Sequence, residues 1–374
     1  MTANARHGRE SRRQGPAMIG GFLAAVLACL FAAPAASGAA TKVVGYIDAG
    51  GAPSYMSNLA SSDFTHVIAG FIAPSSANGS LGYDTMGTWV WNPVTQTSDY
   101  YPTILNADFA TAINAVQAGG TKVLLSFGGA GAWNGGEPGY SFWATGTSPA
   151  VLASQLAGFV TNPTVQAGGP PVHFDGIDID FEDTAALQGT GYDGVSFLVS
   201  LTTALRDLLP ANQYVISHAP QAPYFLTTFS GSGGMYQAVN AQVGDKIDFY
   251  NIQMYNNPSF DGNNSVSGVV AAYGTVLANN PGLAASKSLL GLPMQSGMAS
   301  DNMFSLQDQA SIFSQAKQQY GAGGAMGWQV YNATNPTLEL GPAWAANAAS
   351  AFGSAAVPEI DPAGLGSVAA LVTG

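Results

Sequence analysis

The amino-acid sequence predicts an α/β fold, a (β/α)8 barrel contained in one domain. Short apolar runs alternate with stretches of helical periodicity, and this alternation is repeated eight times between residues 42 and 352. The chain has 374 residues, of which 47% are apolar and 9% are charged. This length and composition are sufficient for a large buried core and are typical of one barrel-sized domain.

Eight segments are predicted as strands. Each is a short run, mostly apolar, bounded by turn residues or by a helical pattern. In chain order they are residues 42–47, 65–72, 121–127, 174–182, 214–219, 247–255, 288–293 and 324–331. Residues 73–102 form a long insertion after the second strand, which we expect at the mouth of the barrel.

Helical patterns lie between the predicted strands. Ser148 and Pro149 are typical of a helix N-cap and first position, and Gly119 with Gly120 ends the helix that precedes the third strand. The most regular amphipathic pattern is that of Phe197, Leu198, Leu201, Leu205 and Leu208. Residues 342–352 can close the last unit, while the helix near residues 53–59 has the weakest signal.

Acidic and apolar residues alternate in the fourth predicted strand. Because alternate residues point to opposite faces, Asp178, Asp180 and Glu182 share one face and the apolar residues between them share the other. Three carboxylates in a row repel one another and resist burial, so they indicate chemistry rather than stability. In a barrel this face points inward, and Glu182, ~13 Å beyond Asp178, reaches the C-terminal mouth where barrel active sites lie.

Residues 175–182, DGIDIDFE, resemble the D-x-x-D-x-D-x-E signature of glycoside hydrolase family 18 chitinases. Three further motifs occur in the family's order on the expected strands. They are SFGG at 126–129, QMYNN at 253–257 and AMGW at 325–328. The HAPQ sequence at 218–221 is similar to the short, plant class III-like subgroup of the family.

The resemblance implies a retaining, substrate-assisted hydrolysis of β-1,4-linked N-acetylglucosamine. Glu182 would be the general acid/base, and Asp180 would hydrogen-bond the acetamido N–H. Asp178 would lie deeper and share a proton with Asp180, while Tyr255 would donate to the acetamido oxygen. The same three carboxylates could instead bind a hard cation, but the order of the motifs favours sugar chemistry. We therefore expect no metal and no cofactor.

Other residues are expected to bind the sugar or to shape the site. Trp328 offers a flat face for stacking. The remaining expected sugar contacts are Tyr46, Phe71, Gln253, Gln221, Met254, Asn256 and Trp133. Structural roles are expected for Asp175, Gly176, Ser126, Gly128 and Gly129. Two roles remain possible for Trp89, Trp91 and Tyr224: stacking on sugars in outer subsites, or simple packing.

The two ends of the chain differ from the domain at 41–352. Residues 1–40 predict an export signal with a basic start and an apolar stretch, with the twin-arginine route, the general route and an uncleaved anchor as alternatives. Cys29, the only cysteine, lies within it, so the mature chain would have no disulfide. Residues 353–374 form a tail in which Val-Pro-Glu resembles a PEP-type sorting signal without its basic end.

Charge and loop length narrow the function. A formal net charge of −12 disfavours nucleic acid and anionic membranes and suits a neutral partner such as chitin or its oligosaccharides. The resemblance also implies an open, endo-acting cleft, because only residues 294–323 separate the last two strands, where many bacterial chitinases of the family carry an α+β insertion. We expect a monomer that is secreted, periplasmic or held at the cell surface. The alternatives are an endo-β-N-acetylglucosaminidase acting on N-glycan cores and a non-catalytic chitin-binding lectin.

Overall fold

The computed structural model describes residues 40–48, 53–74, 80–130, 147–183, 186, 191–229, 233–330 and 340–353. Its strands are β1 (Lys42–Asp48), β2 (His66–Pro74), β3 (Leu81–Tyr83), β4 (Gly87–Asn92), β5 (Thr97–Leu105), β6 (Lys122–Gly128), β7 (Gly176–Asp180), β8 (Val215–His218), β9 (Phe249–Gln253), β10 (Ser288–Pro293) and β11 (Gly324–Trp328). Its α-helices are α1 (Pro53–Ser57), α2 (Ala107–Ala118), α3 (Pro149–Thr161), α4 (Gly194–Leu208), α5 (Met235–Val243), α6 (Val266–Ala278), α7 (Leu306–Tyr320) and α8 (Leu340–Ala351).

Eight strands close a parallel barrel, which confirms the predicted fold and all eight predicted strand segments. β1, β2 and β6 to β11 pair in parallel, and β1 pairs with both β2 and β11, so the barrel has no open edge. β7 and β9 each end two residues earlier than predicted, at Asp180 and Gln253. The backbone hydrogen bonds of the sheet end at these residues. Beyond them, successive side chains still point alternately outward and inward up to the mouth.

Apolar side chains fill two layers, one on each side of the barrel wall. The inner layer consists of Val44, Tyr46, Ile68, Leu124, Ala219, Phe249, Tyr255, Leu289 and Met326. The larger outer layer packs the strands against the helices and includes Ile177, Ile179 and Phe181 of the β7 region. Because these three residues face outward, the acidic residues between them face the barrel interior.

Local signals set the limits of the helices. The Ser148 side chain accepts a hydrogen bond from the Val151 amide at 3.3 Å, with Pro149 in the first turn of α3. Asn106 caps α2 in the same way, accepting from the Asp108 amide at 2.8 Å. α7 ends at Gly321, whose φ of 76° is readily adopted by glycine.

The insertion after β2 forms an ordered β-structure that starts at the C-terminal end of β2, and its expected place at the mouth stays a prediction. β3 runs back along the end of β2, and β4 and β5 form an antiparallel hairpin. Tyr83 of β3 contacts Phe159 of α3 with ring centroids 5.2 Å apart. Trp89 and Trp91 on β4 are 62% and 60% exposed, so neither is an ordinary core residue.

One helix joins β10 to β11. Residues 294–323 are all described and contain only α7 as regular secondary structure, so no α+β insertion lies between the last two strands. In the described part of the chain, no helix combines the length and apolar character needed to cross a bilayer.

The packing of β7 against β8 predicts a sharp difference between two glycine substitutions. A Cβ at Gly176 would overlap the backbone of Val215, whereas a Cβ at Gly158, exposed on α3, would meet nothing within 4 Å. We expect Gly176→Ala to lower the free energy of unfolding by about 3 kcal/mol or more. Gly158→Ala should raise it by about 0.5–1 kcal/mol.

Urea unfolding of both variants and the wild type checks this expectation. If Gly176→Ala were as stable as the wild type, the close approach of β7 to β8 would be wrong.

Candidate active site

The carboxylate of Asp178 is buried inside the barrel and is held by four hydrogen-bond donors. Tyr46 Oη and Ser126 Oγ donate to Oδ2 at 2.7 and 2.8 Å. Ser217 Oγ and Asn251 Nδ2 donate to Oδ1 at 2.6 and 3.3 Å. Strand register produces this arrangement, because Ser126, Asp178 and Ser217 lie side by side on β6, β7 and β8. Burial raises the pKa of Asp178 to about 6, although the four hydrogen bonds oppose the rise.

Asp180 and Glu182 form a hydrogen-bonded carboxyl pair above Asp178. Burial raises the pKa of both groups, and the negative charges of Glu182 and Asp178 raise that of Asp180 further. Two carboxyls in contact do not readily ionise together, so the pair retains a proton. The expectation that Asp178 shares a proton with Asp180 stays a prediction. Both oxygens of Asp178 are engaged by other donors, and the carboxyl bonded to Asp180 is that of Glu182.

Two glutamine amides hold the carboxyl pair from neighbouring segments. Gln253 Nε2 donates to Asp180 Oδ1 at 3.0 Å and lies 3.5 Å from Glu182 Oε1. Gln221 Nε2 donates to Glu182 Oε2 at 2.9 Å, and its Oε1 accepts from Asn257 Nδ2 at 2.9 Å. Amide donors stabilise an ionised carboxylate, so both glutamines lower the pKa of Glu182 and oppose the effect of burial. Both were expected as sugar contacts, and both contact the acid itself.

Tyr255 presents a hydroxyl group close to the carboxyl pair. It belongs to the inner layer and lies two residues beyond Gln253, on the inward row of β9. Burial, followed by the negative charges of Asp180 and Glu182, raises its pKa well above the ordinary value, so the group remains a protonated donor. Within the described residues its hydroxyl makes no hydrogen bond. The donor is therefore available to a substrate.

Trp328 ends β11 at the mouth and is partly exposed. Tyr46 meets it edge-on with ring centroids 5.7 Å apart, and the Phe71 ring lies tilted at 6.2 Å. The Tyr46 ring is buried and its hydroxyl donates to Asp178, so Tyr46 lies beneath the sugar site. Phe71 also packs on Gly129, where a Cβ would lie 3.2 Å from the ring.

The residues expected to be structural lie around the carboxylates. Gly128 and Gly129 have φ values of 119° and 85°, and the Gly129 amide donates to the Asp180 carbonyl at 2.9 Å. Ser126 reaches Asp178 directly, as described above. Asp175 lies at the start of β7, where its Oδ2 accepts from the Val123 amide at 2.7 Å and ties β7 to β6.

The remaining candidate residues take different positions. Met254 is buried in the outer layer, because it has the opposite parity to Gln253 and Tyr255, and this corrects its expected contact with the sugar. Tyr224 is also buried in the outer layer and offers no stacking face. Asn256 is exposed beyond β9, and its Oδ1 accepts from the Ser300 amide at 2.8 Å. Trp133 lies outside the described residues.

Two functional positions were missed from the sequence. Ser217 and Asn251 hold Asp178, yet no motif marks them. Their signal was parity, because each is a polar residue on the inward row of its strand. In the described ranges, no three His, Cys, Asp or Glu side chains are grouped so as to hold a metal ion.

Comparison with known proteins agrees with this geometry. The family described as "Glycosyl hydrolases family 18" matches residues 42–297, more than half of the chain and the whole of the carboxylate row. The chain belongs to glycosyl hydrolase family 18. Its relatives include Chitinase 1 of Rhizopus niveus, 33% identical over 145 residues. That match covers 39% of this chain and 24% of the relative, so it spans about a quarter of that protein's length.

Solved structures of the family have the same fold. A family 18 chitinase from Pseudoalteromonas aurantia is 30% identical, with a TM-score of 0.67 over 83% of this chain and 100% of its own. A fungal endo-β-N-acetylglucosaminidase of family 18 is 20% identical, with a TM-score of 0.59 over 82% of this chain and 97% of its own, which shows the fold alone. Family membership and these chitinase relatives make the protein a chitinase-type glycoside hydrolase.

The hydrogen bond from Gln221 to Glu182 predicts a shift in the pH dependence of hydrolysis. Gln221→Met removes a donor that favours the ionised acid, so the pKa of Glu182 rises. The alkaline limb of kcat/KM should then move to higher pH by roughly half to one unit, equivalent to about 0.7–1.4 kcal/mol.

The pH profiles of Gln221→Met and of Gln318→Met, a surface change on α7, provide the measurement and its control. An alkaline limb that stays in place in Gln221→Met would argue against control of Glu182 by this amide.

Proposed function

We propose that the protein is a secreted, endo-acting chitinase that cleaves β-1,4-linked N-acetylglucosamine polymers with retention of the anomeric configuration. The observation that carries this proposal is the contact between the Asp180 and Glu182 carboxyls, beside a Tyr255 hydroxyl that has no hydrogen-bond partner in the described part of the chain. It combines one acid, one charge stabiliser and one hydroxyl donor, which are the groups a substrate-assisted glycosidase needs.

Glu182 is the proposed general acid. As the glycosidic bond breaks, its carboxyl donates a proton to the leaving oxygen. The proton shared with Asp180 resides on Glu182 at that moment, which leaves Asp180 ionised. The Asp180 carboxylate then accepts from the substrate's acetamido N–H and stabilises the positive charge that develops there. The hydrogen bond between the two carboxyls allows this exchange without a change in the total proton number.

The substrate's own acetamido oxygen is the proposed nucleophile. Asp178 is the other carboxylate of the row, but its two oxygens are occupied by four donors, so it is not placed to attack. The acetamido oxygen, oriented by the Tyr255 hydroxyl, bonds to the anomeric carbon as the bond to the leaving oxygen breaks. Water then opens this oxazolinium intermediate while the Glu182 carboxylate accepts its proton, which restores the starting configuration.

The open side of the site supports cleavage within the polymer. The segment between β10 and β11 contains one helix and no α+β insertion. Trp328 provides the stacking floor, and its partly exposed position suits a sugar ring within a longer chain.

Two alternative functions share this fold. An endo-β-N-acetylglucosaminidase would use the same acid on an N-glycan core, and only the products distinguish it from a chitinase. A non-catalytic chitin-binding lectin would need no acid at the end of the motif. The presence of Glu182, with its raised pKa and two amide partners, favours an enzyme.

Export is part of the proposal and is supported by the sequence of residues 1–40, with its basic start and its apolar stretch. A chain with a formal net charge of −12 also suits a neutral polysaccharide better than an anionic partner. We propose that the protein acts as a monomer on chitin or its oligosaccharides.

Replacement of the acid tests the chemistry. Glu182→Gln keeps the shape of the side chain but cannot deliver a proton, so we expect hydrolysis of N-acetylglucosamine oligomers to fall by about 10³-fold or more. Oligomer binding and the free energy of unfolding should remain close to wild type. The measurement is turnover with the anomers of the products resolved, and the wild type should release the β-anomer first.

Asp207→Asn, an exposed acid-to-amide change on α4, is the control and should leave turnover unchanged. Wild-type release of the α-anomer, or full turnover by Glu182→Gln, would contradict the proposed mechanism.

A further inference from the structure

Gln295 is a buried amide without a hydrogen-bond partner. Its side chain is 9% exposed, and neither Nε2 nor Oε1 is hydrogen-bonded within the described part of the chain. An unsatisfied buried polar group costs roughly 1–3 kcal/mol, so a side chain with both amide atoms unpaired requires an explanation. A ligand that supplies both an acceptor and a donor would satisfy it.

Strand alternation places Gln295 on the cleft side of the barrel wall. Leu289 of β10 belongs to the inner layer, whereas Leu290, Leu292 and Met294 belong to the outer layer. Met294 occupies the space where a Cβ on Gly327 would lie, next to Trp344 of α8, so it faces the helices. Pairing with β11 continues to Met294, whose amide donates to the Trp328 carbonyl at 2.6 Å, so Gln295, just beyond β10, takes the opposite direction.

Strand order places Gln295 laterally between the two aromatic residues of the site, because β10 lies between β9, which leads to Tyr255, and β11, which ends at Trp328. Pro293 pairs with Trp328, and Gly291 pairs with Gln253, which is two residues before Tyr255. Gln295 follows Pro293 by two residues, just beyond the end of β10, so it lies further toward the mouth than the level of Trp328 and Tyr255. This is the level that a sugar stacked on Trp328 would occupy.

We propose that Gln295 is a sugar-binding residue of the cleft, whose amide hydrogen-bonds a hydroxyl or acetamido group of an N-acetylglucosamine unit held on Trp328. This inference rests on the proposed function and extends it to a residue that no motif marks. A neutral amide offers one acceptor and two donor hydrogens, which matches an uncharged sugar bearing hydroxyl and acetamido groups. Because Gln295 is buried, a bound sugar would provide the hydrogen bonds that its amide lacks in the folded protein.

The test is binding of the N-acetylglucosamine tetramer by full-length protein carrying Glu182→Gln, so that hydrolysis does not interfere. Gln295→Met preserves length and removes the hydrogen bonds. We expect it to weaken tetramer binding about fivefold to tenfold, the effect of losing one or two neutral hydrogen bonds. Stability to urea should stay equal or rise, because the thioether replaces an unsatisfied amide. Gln318→Met is the matched surface control and should alter neither property.

Gln295→Glu provides a second, nearly isosteric variant if the methionine variant does not fold. A protonated carboxyl keeps one donor and one acceptor, whereas the ionised form has no donor. Tetramer binding by Gln295→Glu should therefore weaken as pH rises, more steeply than binding by the Glu182→Gln parent. A pH dependence identical to that of the parent would overturn the inference.

The outcomes separate this inference from the proposed function. Parent-like binding by Gln295→Met, whether its stability is unchanged or lowered, would show a structural residue and overturn the inference alone. Failure of the Glu182→Gln parent to bind the tetramer would overturn the proposed function, and this inference with it.

Discussion

The site depends on one buried charge, the carboxylate of Asp178, and on the four donors that hold it inside the barrel. A carboxylate in an apolar interior is strongly destabilising unless its oxygens are hydrogen-bonded. Ser126, Ser217, Asn251 and Tyr46 supply these bonds from four different strands. The four donors reach one carboxylate only because the barrel is closed, so the buried charge depends on the fold. Removing any donor makes the ionised form of Asp178 less stable. Because the charge of Asp178 raises the pKa of Asp180, the loss of a donor also affects the pKa of Asp180.

Asp178 also sets the chemistry of the pair at the mouth. Its negative charge and the surrounding apolar layer both raise the pKa of Asp180, and Glu182 lies next in the same row. Gln253 and Gln221 act in the opposite direction by stabilising the ionised form of Glu182. The result is an acid that holds a proton yet can lose it, the balance required of a group that acts first as acid and then as base.

Much of this arrangement could be predicted from the sequence, because strand parity is a local property. The alternation in DGIDIDFE was enough to place three acidic residues inward and the apolar residues outward. The same rule was not applied to Met254, which is next to two site residues and points to the outer layer for that reason. Ser217, Asn251 and Gln295 are single polar residues without motifs, and their importance appears only when register brings neighbouring strands together. The hairpin of β4 and β5 was missed, because the sequence of residues 73–102 predicted only a long insertion.

The most direct test of the account is a pH titration of the three carboxyl groups. Their protonation is measured by NMR on protein labelled with 13C in the Asp and Glu carboxyl groups. Asp178→Asn, Asp180→Asn and Glu182→Gln assign the signals. The account predicts that Asp178 titrates near pH 6 and that the Asp180–Glu182 pair retains one proton beyond the ordinary range of carboxylic acids. If all three groups were ionised at ordinary carboxyl pKa values of about 4, the buried row would not tune the acid, and the account would be wrong.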